Sequence, residues 1–198
     1  ERSRGLGDVY KRQGMGLFDA ICHSFSTIAI GGFSTHDASI GYFDSAMIES
    51  IAIFFMALAG INFGLHFFAF KDGSLRVYFR DDEVKFYLAI LLVASSVVII
   101  GLWYENTYNA GDSIRVGLFH TISIFTTTGF ATDDFANWPG MLPFLVFFGA
   151  FTGACAGSTG GGMKVMRVLL ICKQGLREVH RLIHPHAVLS LIHISEPT

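Results

Sequence analysis

The stretch His120-Thr121-Ile122-Ser123-Ile124-Phe125-Thr126-Thr127-Thr128-Gly129-Phe130-Ala131-Thr132-Asp133-Asp134 has a second copy in the same chain. That copy is His23-Ser24-Phe25-Ser26-Thr27-Ile28-Ala29-Ile30-Gly31-Gly32-Phe33-Ser34-Thr35-His36-Asp37. Placed without gaps, the two share His23/His120, Ser26/Ser123, Gly32/Gly129, Phe33/Phe130, Thr35/Thr132 and Asp37/Asp134. A duplicated unit sets the architecture of a chain before any local reading does. Each copy is a short apolar segment, then a strip of small residues ending in Gly-Phe, then a polar, acidic segment.

Around these copies the composition is that of a membrane protein. Of 198 residues, 52% are hydrophobic and only 15% charged, with 20 Phe and 22 Gly, against about 25% charge in a soluble domain. The apolar residues fall in blocks. A net charge of -2 gives no reason to expect a nucleic-acid partner. Cys22, Cys155 and Cys172 are odd in number and irregularly spaced, so they are read as buried thiols acting as small hydrophobes. Glu1 to Gln13 is polar, basic and aperiodic, without the apolar core of a signal peptide. Residues 1–13 and 189–198 are expected to be non-native tails. They resemble translated adapter read-through, which makes the chain an internal piece of a longer protein.

A membrane-crossing helix needs about 20 apolar residues, and runs of about 10–14 are more often re-entrant. Leu17 to Ile28 and Ile114 to Phe125 are of the short kind. Each is read as a half-helix that enters the membrane, stops and returns as extended backbone. Ser45 to Phe70 is long enough to cross, and its Gly60-Ile61-Asn62-Phe63-Gly64 suits close helix packing. Val84 to Trp103 is a second spanning helix, with Trp103, Tyr104 and Tyr108 suited to the interface. Met141 to Cys172 is a third, interrupted at Gly153 to Gly162, because successive glycines break helices. Broken backbone at membrane depth is tolerated only where protein buries it or where it lines a wet cavity. The basic residues gather in Lys71 to Lys85 and Lys164 to Arg181, so both segments are expected in the cytoplasm. Asp37, Asp44, Asp133 and Asp134 follow the strips and face outward.

A cation crossing a bilayer must exchange its hydration shell for equivalent oxygens, and rings of backbone carbonyls provide them in potassium channels. Such backbone must carry no bulk and must reach unusual dihedrals, which glycine permits. Ala29, Ile30, Gly31 and Gly32, and Thr126, Thr127, Thr128 and Gly129, have that character. The acidic segments would raise the local cation concentration.

Together with Gly153-Ala154-Cys155-Ala156-Gly157-Ser158-Thr159-Gly160-Gly161-Gly162-Met163-Lys164, these strips closely resemble the TrkH family, membrane subunits of bacterial Trk potassium uptake systems within the Trk/Ktr/HKT superfamily. The resemblance runs from about Met15 to Val188. It implies an all-α integral membrane fold of helix–pore-loop–helix repeats, potassium-channel-like, with re-entrant half-helices and extended filter strands. Residues 14–70 would be the pore loop and second helix of repeat two, and 71–83 a cytoplasmic loop. Residues 84–175 would be repeat three with its broken second helix, and 176–188 a cytoplasmic linker. Ala29–Gly32 and Thr126–Gly129 would bind potassium as filter. Gly157, Ser158, Thr159, Gly160, Gly161 and Gly162 would form a gate loop beneath it. It further implies a multi-pass protein of the bacterial inner membrane, a cytosolic TrkA-type nucleotide-binding regulatory subunit, a homodimer of the full-length protein, and no cofactor beyond the transported potassium. Two filter strands cannot encircle an ion, so repeats one and four are required for a pore.

Other readings carry less. Ser158 to Lys164 has a faint likeness to a phosphate loop, but Met163 and Val165 flank the lysine where Gly and Ser/Thr are needed. Lys164 and Arg167 are read as starting the inner half-helix at the cytoplasmic interface, with a cation-repelling or gate-stabilising role as the alternative. His23 and His120 are read as packing groups of the pore helices, with proton coupling as the alternative. His184-Pro185-His186 lacks a third metal ligand. A membrane hydrolase using Ser158 needs a base within reach, and none is evident, so no enzyme activity is expected. Potassium transport is the preferred function. A non-conducting scaffold, or a secondary carrier with inverted repeats, is the alternative, and the like orientation of these repeats disfavours the carrier.

Overall fold

Each copy of the repeat folds through the same succession of elements. This computed structural model describes Val9 and residues 14–183; the rest of both expected tails, and His184-Pro185-His186, lie outside those residues. The first copy gives helix α1 (Leu17–Ile28), the strip, a 3-10 turn at Ser39–Phe43 and helix α2 (Ala46–Ala59). After α3 (Phe63–Asp72), α4 (Arg76–Arg80) and α5 (Asp82–Tyr104), the second copy gives α6 (Ala110–Phe125), the strip, a 3-10 turn at Phe135–Asn137 and α7 (Leu142–Gly149). Helix α8 (Val165–Ile183) closes the series, and the described residues contain no strand.

Helix α6 is the centre of the packing. It lies against α5, α2 and α7, while α1 packs on α2 and α8 on α5. Its inner face buries Ser113, Gly117, Phe119, His120, Thr121, Ile122, Ser123 and Phe125. The hydroxyl of Thr121 is tied to the Gly117 carbonyl at 2.7 Å, which makes a polar face compatible with burial. The α6 helix begins at Ala110, a turn earlier than the apolar run that marks it in the sequence.

Helix α5 has 23 residues, about 34 Å at the α-helical rise, enough to cross a hydrocarbon core of about 30 Å. It is the one described helix that is both long and apolar enough to do so. The run expected to cross, Ser45 to Phe70, is long and apolar enough as a pair of helices but is not one straight helix: α2 and α3 are bent by 94° at their junction. Helix α2 stops at Gly60, and Asn62 starts α3 afresh, its Oδ1 accepting the Gly64 amide at 2.8 Å. The expected third crossing is likewise divided. Pro143 stands in the first turn of an α7 only 8 residues long, and α8 alternates apolar residues with Arg167, Lys173, Arg177 and Glu178. Only Cys155 meets the expectation for the thiols; Cys22 is half-buried and Cys172 exposed.

An arginine shared by two carboxylates joins the copies. Arg115 on α6 donates twice to Glu49 on α2, at 2.7 and 2.8 Å, and once to Asp44 at 2.9 Å. The Glu49 side chain is only 3% exposed. Removing one partner of a buried pair strands the other charge, at a cost of about 3 kcal/mol. Arg115→Leu is therefore expected to lower the thermal midpoint in detergent markedly, and Glu49→Leu/Arg115→Leu to regain most of it.

Candidate functional site

The two strips have the same backbone although their side chains differ. In the first, Ile30 has φ 52° and Gly32 φ 68°; in the second, the equivalent Thr127 and Gly129 have φ 67° and 88°. Each positive value follows a right-handed residue at the helix end, Ala29 (φ -75°) or Thr126 (φ -74°). The strips are thus not extended strands as expected. Reversing the sign of φ at alternate positions turns carbonyls that would alternate in a strand toward one side. A β-branched residue at positive φ is rare and strained, and Ile30 and Thr127 both accept it.

Apart from that of Gly32, the amides of the strips bond back to the preceding helix. Ala29, Ile30 and Gly31 donate to Phe25, Thr27 and Ser26 at 2.9, 3.2 and 2.8 Å. Thr126, Thr127 and Thr128 repeat the pattern onto Ile122, Ile124 and Ser123 at 3.0, 2.9 and 2.8 Å. The hydroxyls of Thr126 and Thr128 face each other at 2.7 Å and are buried. No hydrogen bond among the described residues ends on a carbonyl of Ala29–Gly32 or Thr126–Gly129. The strips therefore present oxygen and withhold N–H and hydroxyl. They also touch: a Cβ on Gly32 would lie 2.0 Å from the Thr128 carbonyl oxygen, whereas one on Gly129 would meet nothing within 4 Å.

The repeated histidines brace the strips. His23 and His120 are fully buried. Each bonds a carbonyl one turn back through Nδ1, Asp19 at 2.8 Å and Val116 at 3.0 Å. Through Nε2, His23 reaches the Ser34 hydroxyl at 2.9 Å and His120 the Asp133 carbonyl at 2.9 Å. Both rings tie a helix to the chain beyond its strip, as the packing reading requires. Farther out, the Tyr108 hydroxyl donates to Asp133 and, with the Asp134 amide, holds the Asp133 carboxyl below the usual carboxylate range.

The glycine-rich loop, residues 150–164, lies against both strips. Thr159 Oγ1 donates to the Ile28 carbonyl at 3.0 Å, and the Gly161 amide donates to Thr127 Oγ1 at 2.7 Å. A Cβ on Gly160 would meet the Thr126 carbonyl oxygen at 2.9 Å. The loop is pinched at its neck, where Gly153 (φ 68°) and Gly162 (φ 76°) leave room for no side chain between them. Ser158 spends its hydroxyl on the Cys155 carbonyl at 2.6 Å. The ammonium of Lys164 bonds the carbonyls of Gly160 and Ser158. Its side chain turns back into the loop.

Two further residues shape the loop: Asn62, expected in a helix-packing cluster, and Glu83, which the sequence reading does not single out. Asn62 fills the space beside Gly157, where a Cβ would lie 2.9 Å from its Oδ1. Glu83, buried at the start of α5, reaches the loop across 73 residues of sequence. Asn62 carried a cue as a helix-capping residue after glycine, and Glu83 as part of an acidic first turn. Neither cue names a partner.

Paired half-helices, each ending in a carbonyl-bearing strip backed by a loop at a helix break, define a pore-loop integral membrane protein. The comparisons agree. The family described as TrkH, cation transport protein, matches residues 5–195, and the chain belongs to it. It is 52% identical over 183 residues to the Trk system potassium uptake protein TrkH of Halomonas elongata, covering 92% of this chain and 38% of that protein. It is 51% identical over 179 residues to the TrkH of Escherichia coli K12, covering 90% and 37%. The crystal structure of the potassium transporter TrkH from Vibrio parahaemolyticus superposes with a TM-score of 0.93 at 47% identity, over 96% of this chain and 41% of that one. The chain thus spans about two-fifths of the length of these relatives.

The unequal surroundings of the two glycines give a test. Gly32→Ala drives a methyl into backbone and is expected to cost about 2 kcal/mol or more. Gly129→Ala meets open space and is expected to cost only about 1 kcal/mol for its φ. Fluorescence-detected size exclusion after graded heating should rank Gly129→Ala clearly above Gly32→Ala.

Proposed function

We propose that this segment supplies two walls of a potassium pathway, as part of a multi-pass transporter of the bacterial inner membrane. Ions would shed water against carbonyls of Ala29, Ile30, Gly31 and Gly32 and of Thr126, Thr127, Thr128 and Gly129. Residues 157–162 would gate the passage beneath. The observation that carries this reading is the set of unbonded carbonyls on two adjoining strips with matching, alternating φ. Such oxygens replace a hydration shell without the field of a full charge. The name Trk system potassium uptake protein, borne by relatives about half identical to this chain, supports potassium as the ion. Two strips form part of a ring, so the rest of the wall comes from further segments of the complete protein. Residues 71–83 and 176–188 face the cytoplasm on this reading, where a TrkA-type nucleotide-binding subunit would dock. The complete protein would be a homodimer.

The test uses a chimaera carrying residues 14–183 in place of the matched part of Escherichia coli TrkH, in potassium-starved cells without other uptake systems. Rubidium uptake is expected. Gly129→Ser is expected to lower the preference for potassium over sodium roughly tenfold, equivalent to about 1.4 kcal/mol. Shortening residues 157–162 is expected to raise flux. A membrane-inserted chimaera that takes up no rubidium would favour the scaffold, and an unchanged ion preference in Gly129→Ser would remove the filter assignment.

A further inference from the structure

Glu83 has no part in the pathway described above, yet its position is unusual. Glu49 and Glu83 are the buried carboxylates among the described residues. Glu49 is paired with Arg115, whereas no ion pair among the described residues includes Glu83. Its Oε1 instead accepts two amides, that of Ala156 at 2.7 Å and that of Met166 at 3.1 Å. Ala156 lies in the middle of the glycine-rich loop. Met166 lies in the first turn of α8, where backbone N–H groups have no partner within the helix and the dipole favours an anion. One oxygen on α5 therefore fastens both the loop and the helix that follows it.

The two ends of this fastening differ in stiffness. Helix α5 is long and regular. The loop has a glycine neck and is otherwise attached through single neutral bonds, to Ile28 and Thr127 and, backbone to backbone, to Gly60 and Phe63. Charge-assisted bonds to a carboxylate are roughly twice as strong as neutral ones, so Glu83 is the strongest side-chain hold on this loop apart from Lys164. Because Ala156 and Met166 share one acceptor, loss of the Glu83 carboxylate frees the loop and the start of α8 together.

We infer that Glu83 is a latch: a positioning residue that holds the loop in its resting place and couples it to α8. The inference rests on the reading of residues 157–162 as the gate. It is separable from that reading, because the loop itself carries a reporter. Cys155 is fully buried, one residue from the latched amide.

The experiment uses the same chimaera in proteoliposomes, with every other cysteine replaced, and measures labelling of Cys155 by a water-soluble maleimide together with rubidium flux. Glu83→Ala removes both acceptor bonds and is expected to label roughly tenfold faster, the equivalent of about 1.4 kcal/mol in loop opening. Flux should rise several-fold by the same release, with an unchanged potassium-to-sodium ratio. Glu83→Gln keeps an acceptor oxygen at the same reach and is expected to fall between Glu83→Ala and the parent, a graded rescue that general destabilisation would not give. Parental labelling in folded Glu83→Ala overturns the latch. Should Glu83→Ala fail to fold, parental labelling in Glu83→Gln overturns it equally. Faster labelling with unchanged flux supports the latch and overturns the gate reading.

Discussion

Backbone groups that leave a helix at membrane depth must find partners within the protein, since lipid offers none. Here two broken helices meet that requirement for each other. Helix α2 ends at Gly60, whose carbonyl accepts the Cys155 amide at 2.9 Å. Helix α3 begins at Phe63, whose amide donates to the Gly157 carbonyl at 3.1 Å. The break at residues 60–62 and the break at residues 150–164 are therefore one joint. Closing only one of them into a continuous helix would strand polar backbone of the other. The joint also fixes the loop beneath the strips, so the geometry of the candidate pathway depends on it.

The strips show the same economy. Left-handed conformations at Ile30 and Thr127 are unfavourable by about 1–2 kcal/mol each. Each persists because the amides that follow are caught by the preceding helix and because a buried histidine ties helix to exit chain. The strain turns the carbonyls away from their own helix, which is the property an ion pathway uses. Threonine hydroxyls that would compete for those carbonyls are bonded elsewhere, Thr126 to Ile122 at 2.8 Å among them.

Duplication, half-length helices and the glycine interruption were legible in the sequence because each is a local pattern. Leu17–Ile28 and the interruption before Val165 stand where composition put them. The φ alternation was not legible: Ile30 and Thr127 prefer other conformations, and only their surroundings hold them there. Nor was the bend between α2 and α3. The run from Ser45 to Phe70 is predominantly apolar and reads as one crossing, since the carbonyl of Gly60 finds its partner 95 residues later in a loop no local rule connects to it. Glu83 was hidden for the same reason. It sits within a charged segment that reads as solvated, and its burial comes from α8 and the loop folding over it.

The two copies are alike in backbone and unlike in environment, and the difference has a direction. Phe130, after the second strip, is 1% exposed and lies 6.0 Å, ring to ring, from His23 of the first copy. Its equivalent Phe33 is 82% exposed. Conversely Gly32 is pressed against the second strip, while its equivalent Gly129 faces open space. At the seam between them, the second copy meets the first through its phenylalanine and the first meets the second through its glycine. Such head-to-tail contacts extend in both directions until they close into a ring. On the proposed reading, Phe33 and Gly129 mark the two faces where the remaining walls join. The burial of Phe130, worth about 2 kcal/mol as apolar surface, indicates what a neighbour at Phe33 would contribute.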